Sequence, residues 1–202
     1  MGTSDRQASP TSQAHQTHQK NMPKNEYAPL LSNILEGMHY NPHIENQDKA
    51  KTKQRWQVLM VQMINTPPLN PQDSRCFHAR WTESAHKIRE LVANDHFLLD
   101  MLRIWLPPYS GQDQILYRGE SIERWENGSI GSGWAPKLET AQMFAGGLNK
   151  VGKGGVVLST AAPAASIIAG PSSHSIYLQE FEHTVDRRKL NLVSEVEFYR
   201  SG

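Results

Sequence analysis

Residues 114–119, QILYRG, are the first β-type run after a helical first half, and this change of pattern decides the fold class. The run predicts a strand that opens into a turn, with Arg118 at its end. A guanidinium group there can grip a phosphate through two hydrogen bonds, and Gly119 lets a bulky ligand approach the backbone. An arginine in this place also pairs readily with a surface carboxylate such as that of Glu120. Both interpretations of Arg118 stay open from this segment alone.

The following segment, residues 128–147, reads GSIGSGWAPKLETAQMFAGG and combines a glycine-rich turn with a helical pattern. Gly133 is the last of three glycines before Trp134, and Pro136 stands where a first helical turn can begin. We expect a helix over residues 138–144, in which two alanines and Phe144 share one face. That face can lie close against a sheet, and the same pattern also fits a packing helix that binds no ligand.

Toward the N-terminus the patterns are helical. Residues 47–65 carry a tryptophan, a leucine and two methionines at helical spacing. A second helical pattern begins at Thr82, and Asp95 is a plausible N-cap for a third that ends before a pair of prolines. Residues 1–28 are polar, with almost no large apolar side chains, and predict a disordered tail.

Toward the C-terminus, short β-type runs alternate with Gly, Ser and Asn: GGVVLST, ASIIAG, SIYLQEFEHTV and KLNLVSEVEFY. Helices followed by strands predict an α+β fold, with a helical lobe (about residues 29–110) packed on a mainly antiparallel, split β-sheet core (about 111–202). A chain of 202 residues that is 38% hydrophobic supports one such domain, over residues 29–202.

Composition and charge limit the partners. The 21 Lys and Arg residues nearly balance the 20 Asp and Glu residues, so the net charge of +1 gives no bulk reason to expect nucleic acid. No apolar run approaches the roughly 20 residues that cross a bilayer, and we expect no membrane partner. Cys76 is the single cysteine and cannot form an internal disulfide, which fits a reducing compartment. Cys76 and His78 fall in an expected loop without the paired spacing of a metal site, so we expect no metal.

Glu180 and Glu182 end the run SIYLQEFE and are the most telling acidic pair. On a strand, residues two apart project from the same face, and the apolar side chains of Ile176 and Leu178 set the rest of that face. Two neighbouring carboxylates raise the proton affinity of one of them. A fixed carboxylate stabilises positive charge on a sugar as a glycosidic bond breaks, while a second one orients or deprotonates the nucleophile.

A rival pair is Glu195 and Glu197, in the run KLNLVSEVEFY. There the apolar residues alternate with the acids, so both acids fall on the face opposite to the apolar one. That pattern is typical of a solvated strand face. We therefore favour Glu180 and Glu182, with Glu195 and Glu197 as the alternative.

Taken in order, these segments resemble the three-part signature of ADP-ribosyltransferases of the arginine–serine–glutamate type. LYRGE resembles the arginine block, GWAPKLETAQMFA resembles the Ser-Trp-Thr branch with its Ala-x-x-Phe-Ala end, and EFEHTVDRRKL resembles the catalytic strand. The likeness covers about residues 114–190. Gly133 and Ala135 stand where that branch has Ser and Thr, so the hydroxyls that would brace the catalytic acid are absent unless Ser132 or Ser129 substitutes for them.

The resemblance implies a mono-ADP-ribosyltransferase that uses NAD as its substrate, of the kind found in bacterial and phage toxins and effectors. It implies that Arg118, with Gly119, binds the NAD phosphates and that Gly133, Trp134 and Phe144 form the nicotinamide pocket. Glu182 would then be the catalytic acid, and Glu180 would position the acceptor.

The resemblance further implies that the acceptor is a protein side chain, arginine being the first choice, and that NAD hydrolysis is a side reaction. The loop over residues 170–179 would face this acceptor. The alternative is a degenerate domain of the same fold that binds a protein partner without catalysis. We expect a monomer that is cytoplasmic, or delivered into a host cell without a cleaved signal peptide.

Overall fold

The computed structural model describes residues 31, 32, 35 and 49–201. The polar segment 1–28, for which the sequence predicts disorder, lies outside the described residues. Within the described part, a helical N-terminal region packs on antiparallel sheets, which confirms the predicted α+β class. No helix among these residues is long and apolar enough to cross a membrane.

Within residues 49–105, the structure contains three helices: α1 (Lys49–Asn65), α2 (Pro71–Val92) and α3 (Asp95–Trp105). The predicted apolar face of α1 is confirmed, because its four large apolar side chains are at most 1% exposed: Trp56, Leu59, Met60 and Met63. They pack with side chains of α2 and α3 in one hydrophobic core. This core also contains Ile168 and Ala169, which come from the β-rich part and join the two regions.

The start of α2 differs from the prediction. The helix begins at Pro71 and not at Thr82, because the side chain of Asn70 accepts hydrogen bonds from two N–H groups of the first turn. Proline also fits this first position, where its missing N–H costs nothing. Cys76 and His78 consequently lie within a helix, so the expected loop around them was wrong.

The start of α3 lies next to the predicted position. Asn94, and not Asp95, caps the helix, since its side chain accepts a hydrogen bond from the N–H of Phe97. The carboxylate of Asp95 is thereby free for ion pairs with Arg89 at 2.6 Å and Arg187 at 2.7 Å.

The β-rich part contains six strands and three short α-helices. In chain order these elements are β1 (Gln114–Ser121), α4 (Ile122–Glu126), β2 (Gly133–Trp134), α5 (Leu138–Gly146), β3 (Gly154–Ala162), β4 (Ile167–Ala169), α6 (Ser173–Tyr177), β5 (His183–Val185) and β6 (Ser194–Arg200). One antiparallel sheet has the order β1-β3-β6, and the other has the order β2-β5-β4. The two sheets meet where the backbones of Tyr117 and Ala135 exchange hydrogen bonds of 2.7 and 2.8 Å. A second core of apolar side chains lies around this junction.

The short helix predicted after Trp134 is confirmed as α5, which packs its two alanines against β1 and β3. Glycines allow this contact. A side-chain carbon at Gly119 would lie 2.3 Å from the carbonyl oxygen of Ala141, and one at Gly155 would lie 1.9 Å from that of Ala145. The backbone of α5 therefore occupies the space above Gly119 that the sequence assigned to a ligand.

The strand predicted over SIYLQEFEHTV is wrong for most of its length. Its first residues form α6, because Ser172 caps that helix by accepting a hydrogen bond from the N–H of Ser175. A turn follows, in which Gln179 and Phe181 have φ angles of 60° and 52°, and extended strands do not contain this conformation. Only the last three residues of the run form a strand, β5.

Candidate active site

A cavity of about 520 Å³ opens between α2, β1, β2, α5 and the turn after α6. Its volume falls in the range of small-molecule sites. All seven favoured site residues border it: Arg118, Gly119, Gly133, Trp134, Phe144, Glu180 and Glu182. The structure therefore brings together residues that are up to 64 positions apart in the chain.

Arg118 lies in the middle of β1 and not at its end, because the strand continues through Ser121 with Gly155 as its partner. Its guanidinium group donates from Nε to Oε2 of Glu120 at 2.9 Å and from Nη1 to the carbonyl oxygen of Gly133. The interpretation that Arg118 pairs with Glu120 is therefore confirmed, and Arg118 also borders the cavity. Glu120 is fully buried and not at the surface, and its contacts tie β1 to the turn before β2.

Glu120 carries its charge inside the protein. Burial acts to raise its pKa, but Arg118, Arg124 and the N–H of Gly131 together hold the pKa below its ordinary value. The carboxylate accepts hydrogen bonds at 2.9 Å from the N–H of Gly131 and at 3.0 Å from that of Ser121. Glu120 is thus the fixed negative charge that orients Arg118.

Two glycines of the turn make room for the two charged groups of the site. A side-chain carbon at Gly131 would lie 2.1 Å from Nη2 of Arg118, and one at Gly133 would lie 2.5 Å from the carboxyl carbon of Glu182. The pattern Gly-x-Gly before Trp134 therefore has a steric reason, because any larger residue would push one of these groups aside.

The two favoured acids lie on the turn between α6 and β5. Ser175 is fully buried and accepts a hydrogen bond from each of their N–H groups. Its hydroxyl accepts from the N–H of Glu182 at 2.6 Å, and its carbonyl oxygen accepts from the N–H of Glu180 at 3.0 Å. The prediction that both acids share a strand face was wrong, yet both border the same cavity. The hydrogen bonds to Ser175 fold the turn so that both acids face one cavity, a result that we had expected from strand alternation.

The surroundings of Glu182 disfavour its charge. Withdrawal from water raises the pKa of the carboxyl to about 7, with Arg118 acting in the opposite direction and the nearby charge of Glu180 adding to the rise. Burial also raises the pKa of Glu180, while His174 opposes that rise. Among the described residues, the carboxyl oxygens of Glu182 accept no hydrogen bond. Glu182 is therefore an acid that changes charge near neutral pH.

The two predicted aromatic walls differ in accessibility. Gly133 and Trp134 are neighbours on β2 and point to opposite sides, so Gly133 faces Glu182 while the indole of Trp134 points into the core. That indole is 1% exposed and packs with Leu116 and other residues of the second core. Phe144 is half-buried and borders the cavity, so its ring is the one available to a ligand.

The rival acids, Glu195 and Glu197, do not border this cavity. A bulge in the pairing of β3 and β6 sets Glu195 opposite Leu158 and Glu197 opposite Val157. These two partners are neighbours on β3 and face opposite sides of the sheet. Glu195 accordingly accepts a hydrogen bond from Trp125, whereas Glu197 accepts one at 2.8 Å from Gln142 on α5. The expectation that both rival acids share one face is wrong.

Sequence reasoning missed several polar groups of the cavity. His86 and Arg89 come from α2, and Arg124 comes from α4. Their segments carry no motif, although the i, i+3 spacing of His86 and Arg89 places them on one helix face. Ser175 has only one sequence signal, its place three residues after the helix cap Ser172.

The cavity therefore has an acidic end at Glu180 and Glu182 and a basic end at Arg118, Arg124 and His86. Such a site can hold an anion at one end and stabilise a developing positive charge at the other. No described group of three or more His, Cys, Asp or Glu side chains is placed to hold a metal ion. In comparisons with known proteins, no family model, curated protein or solved structure matches this chain.

Proposed function

We propose that this protein is a mono-ADP-ribosyltransferase that transfers the ADP-ribosyl group of NAD to a protein side chain. One observation carries the proposal: Arg118, Phe144, Glu180 and Glu182 border a single cavity, while the rival acids face elsewhere. The split pair of antiparallel sheets, with the site at their junction, agrees with the fold that the sequence resemblance implies.

The chemistry follows from the two ends of the cavity. The bond between C1′ of the ribose and the nicotinamide nitrogen breaks, and its electron pair leaves with nicotinamide. The ionised carboxylate of Glu182 stabilises the positive charge that develops on the ribose. Phe144 offers a ring against which nicotinamide packs.

Glu180 serves the acceptor. As a nitrogen of an acceptor guanidinium attacks C1′, it loses a proton, and the carboxylate of Glu180 accepts that proton. Burial raises the proton affinity of Glu180, which favours this step. Water attacking in place of the acceptor gives NAD hydrolysis as the side reaction.

The rim beside the acids fits a protein acceptor. Ile176, Tyr177 and Leu178 are 51%, 82% and 46% exposed, and they directly precede the turn that carries Glu180. An exposed apolar patch next to a polar site is typical of protein interaction surfaces. Tyr177, with the largest exposed fraction, is the best placed of the three to contact an acceptor.

The second candidate function is that of a binding module without catalysis. It is favoured by Gly133 and Ala135, which offer no hydroxyl to Glu182, so the acid lacks the support that a serine would give. Such a module would use the same apolar rim to bind a partner but would not consume NAD.

The test is incubation of the purified protein with labelled NAD and a cell lysate. We expect label on lysate proteins and release of nicotinamide, both abolished by Glu182→Gln. The matched control is Glu197→Gln, which removes a carboxylate of the same type outside the cavity and should retain activity. Loss of activity in Glu197→Gln, with activity kept in Glu182→Gln, would move the catalytic role to β6. No label and no loss of NAD would favour the binding module.

A further inference from the structure

The basic end of the cavity carries more positive than negative charge. Three arginines border this end, and the two carboxylates that pair with them, Asp95 and Glu120, lie outside the lining of the cavity: Arg89, Arg118 and Arg124. Both carboxylates are already engaged, Asp95 by two arginines and Glu120 by two arginines and two backbone N–H groups. A bound anion would add the negative charge that this end of the cavity lacks.

Arg118 is poorly placed to be the main anion ligand. Its Nε and Nη2 atoms lie 2.9 and 2.8 Å from Oε2 of Glu120, and its Nη1 donates to the carbonyl oxygen of Gly133. Its guanidinium group thus already contacts protein acceptors on each edge, and breaking these bonds would leave Glu120 buried without its partner. Arg118 therefore acts first as a positioning residue that joins β1 to β2.

Arg124 is the arginine with free donors. Its only ion pair among the described residues is a long one, 3.5 Å to Glu120, and its side chain is 38% exposed at the cavity. Arg89 borders the same cavity, and its buried nitrogen Nη1 has no hydrogen-bond partner among the described residues. The imidazole of His86 completes this group, because it borders the same cavity and lies three residues before Arg89 on one face of α2.

We propose that Arg124, together with Nη1 of Arg89 and with His86, forms the anion subsite of the cavity and binds the diphosphate of the dinucleotide. The assignment to a dinucleotide rests on the proposed function, whereas the subsite itself rests on the charges and free donors described above. Arg118 lies between the subsite and the acids, since it shares Glu120 with Arg124 and donates to the carbonyl oxygen of Gly133, which faces Glu182. With the ribose next to Glu182, the diphosphate then lies on the other side of Arg118.

The subsite can be tested with inorganic pyrophosphate alone, by isothermal titration calorimetry of the full chain. We expect the wild type to bind pyrophosphate and Arg124→Gln to weaken binding roughly ten- to a hundredfold, the effect of losing a charge-assisted hydrogen bond. Arg124→Lys, which keeps the charge but not the fork of donors, should bind with intermediate affinity. Arg55→Gln is the matched control, because Arg55 lies exposed on α1 and should leave binding unchanged.

A thermal unfolding curve for each variant checks that the fold is kept. Pyrophosphate binding by the wild type that Arg124→Gln weakens supports the subsite, whether or not the protein turns over NAD. Equal affinities of the wild type and Arg124→Gln would overturn it, and so would absence of binding to the wild type. A failure of NAD cleavage with intact pyrophosphate binding would count against the proposed function alone.

Discussion

Replacing Glu182 with Gln should make the protein more stable above neutral pH while removing its activity. The pKa of this carboxyl rises from an ordinary 4.5 to about 7 in the fold. Between these two values the folded state binds a proton that the unfolded chain does not, so stability falls as pH rises through this window. Above pH 7 the full cost of the buried charge is present, and each pKa unit corresponds to about 1.4 kcal/mol.

A shift from 4.5 to about 7 amounts to a cost of about 3 kcal/mol as an upper bound, because solvent at the cavity mouth screens part of it. Gln has the same shape and no charge to bury, so Glu182→Gln should recover this free energy at pH 8 and gain almost nothing near pH 4.5. For a chain of this length, about 3 kcal/mol corresponds to a rise in Tm of roughly 6–12 °C.

The assay is urea or thermal unfolding of wild type and variant at a series of pH values from 4.5 to 8.5. The quantity of interest is the difference in unfolding free energy between the two proteins at each pH, because the other titrating groups then cancel. Glu197→Gln, which removes a carboxylate outside the cavity, serves as the control. A Glu182→Gln variant whose advantage does not grow between pH 5 and 8 would refute the argument that burial disfavours the charge of Glu182.

Three further outcomes follow from the geometry. Gly119→Ala should lower the unfolding free energy by about 1–3 kcal/mol, because the added methyl group meets the backbone of α5. Gly170→Ala should be tolerated, because the nearest atom to its added carbon is 3.6 Å away. Equal urea midpoints for the two variants would contradict this prediction. Gly133→Ala should displace the carboxyl of Glu182 and reduce the rate of NAD cleavage about a hundredfold, with little change in Tm. An unchanged rate would show that the contact between Gly133 and Glu182 is unimportant. The pKa of His86 is lowered by burial, by Lys87 and by Arg124, so Arg124→Gln should raise it in an NMR titration, and a lowered or constant value would argue against their proximity.

Helix faces and the α+β class could be predicted from the sequence because they depend on local periodicity. The buried face of α1 and the packing face of α5 follow from side-chain spacing alone. The beginning of α2 was missed because a single Asn-Pro pair sets it, eleven residues before the first clear periodic signal at Thr82.

The acidic segments show where local patterns fail. Alternation predicted a strand for Glu180 and Glu182, but positive φ angles and the contacts of Ser175 make it a turn. Alternation also set Glu195 and Glu197 on one face, but a bulge against β3 separates them. The bulge depends on how β6 pairs with β3, and the residues of β3 lie too far away in the sequence for a local pattern to include them.

The sequence by itself determined the helical faces, the glycines at the close contacts and the chemical character of the arginine and glutamate segments, because each depends on residue type and near neighbours. Only the tertiary structure decided which charges meet. In the folded protein, Arg118 donates hydrogen bonds to Glu120 and Gly133, whereas Arg124 keeps free donors. Withdrawal of Glu182 from water raises its pKa to about 7. Burial and charge proximity are properties of the packed fold, since they depend on groups that the chain brings together from distant positions.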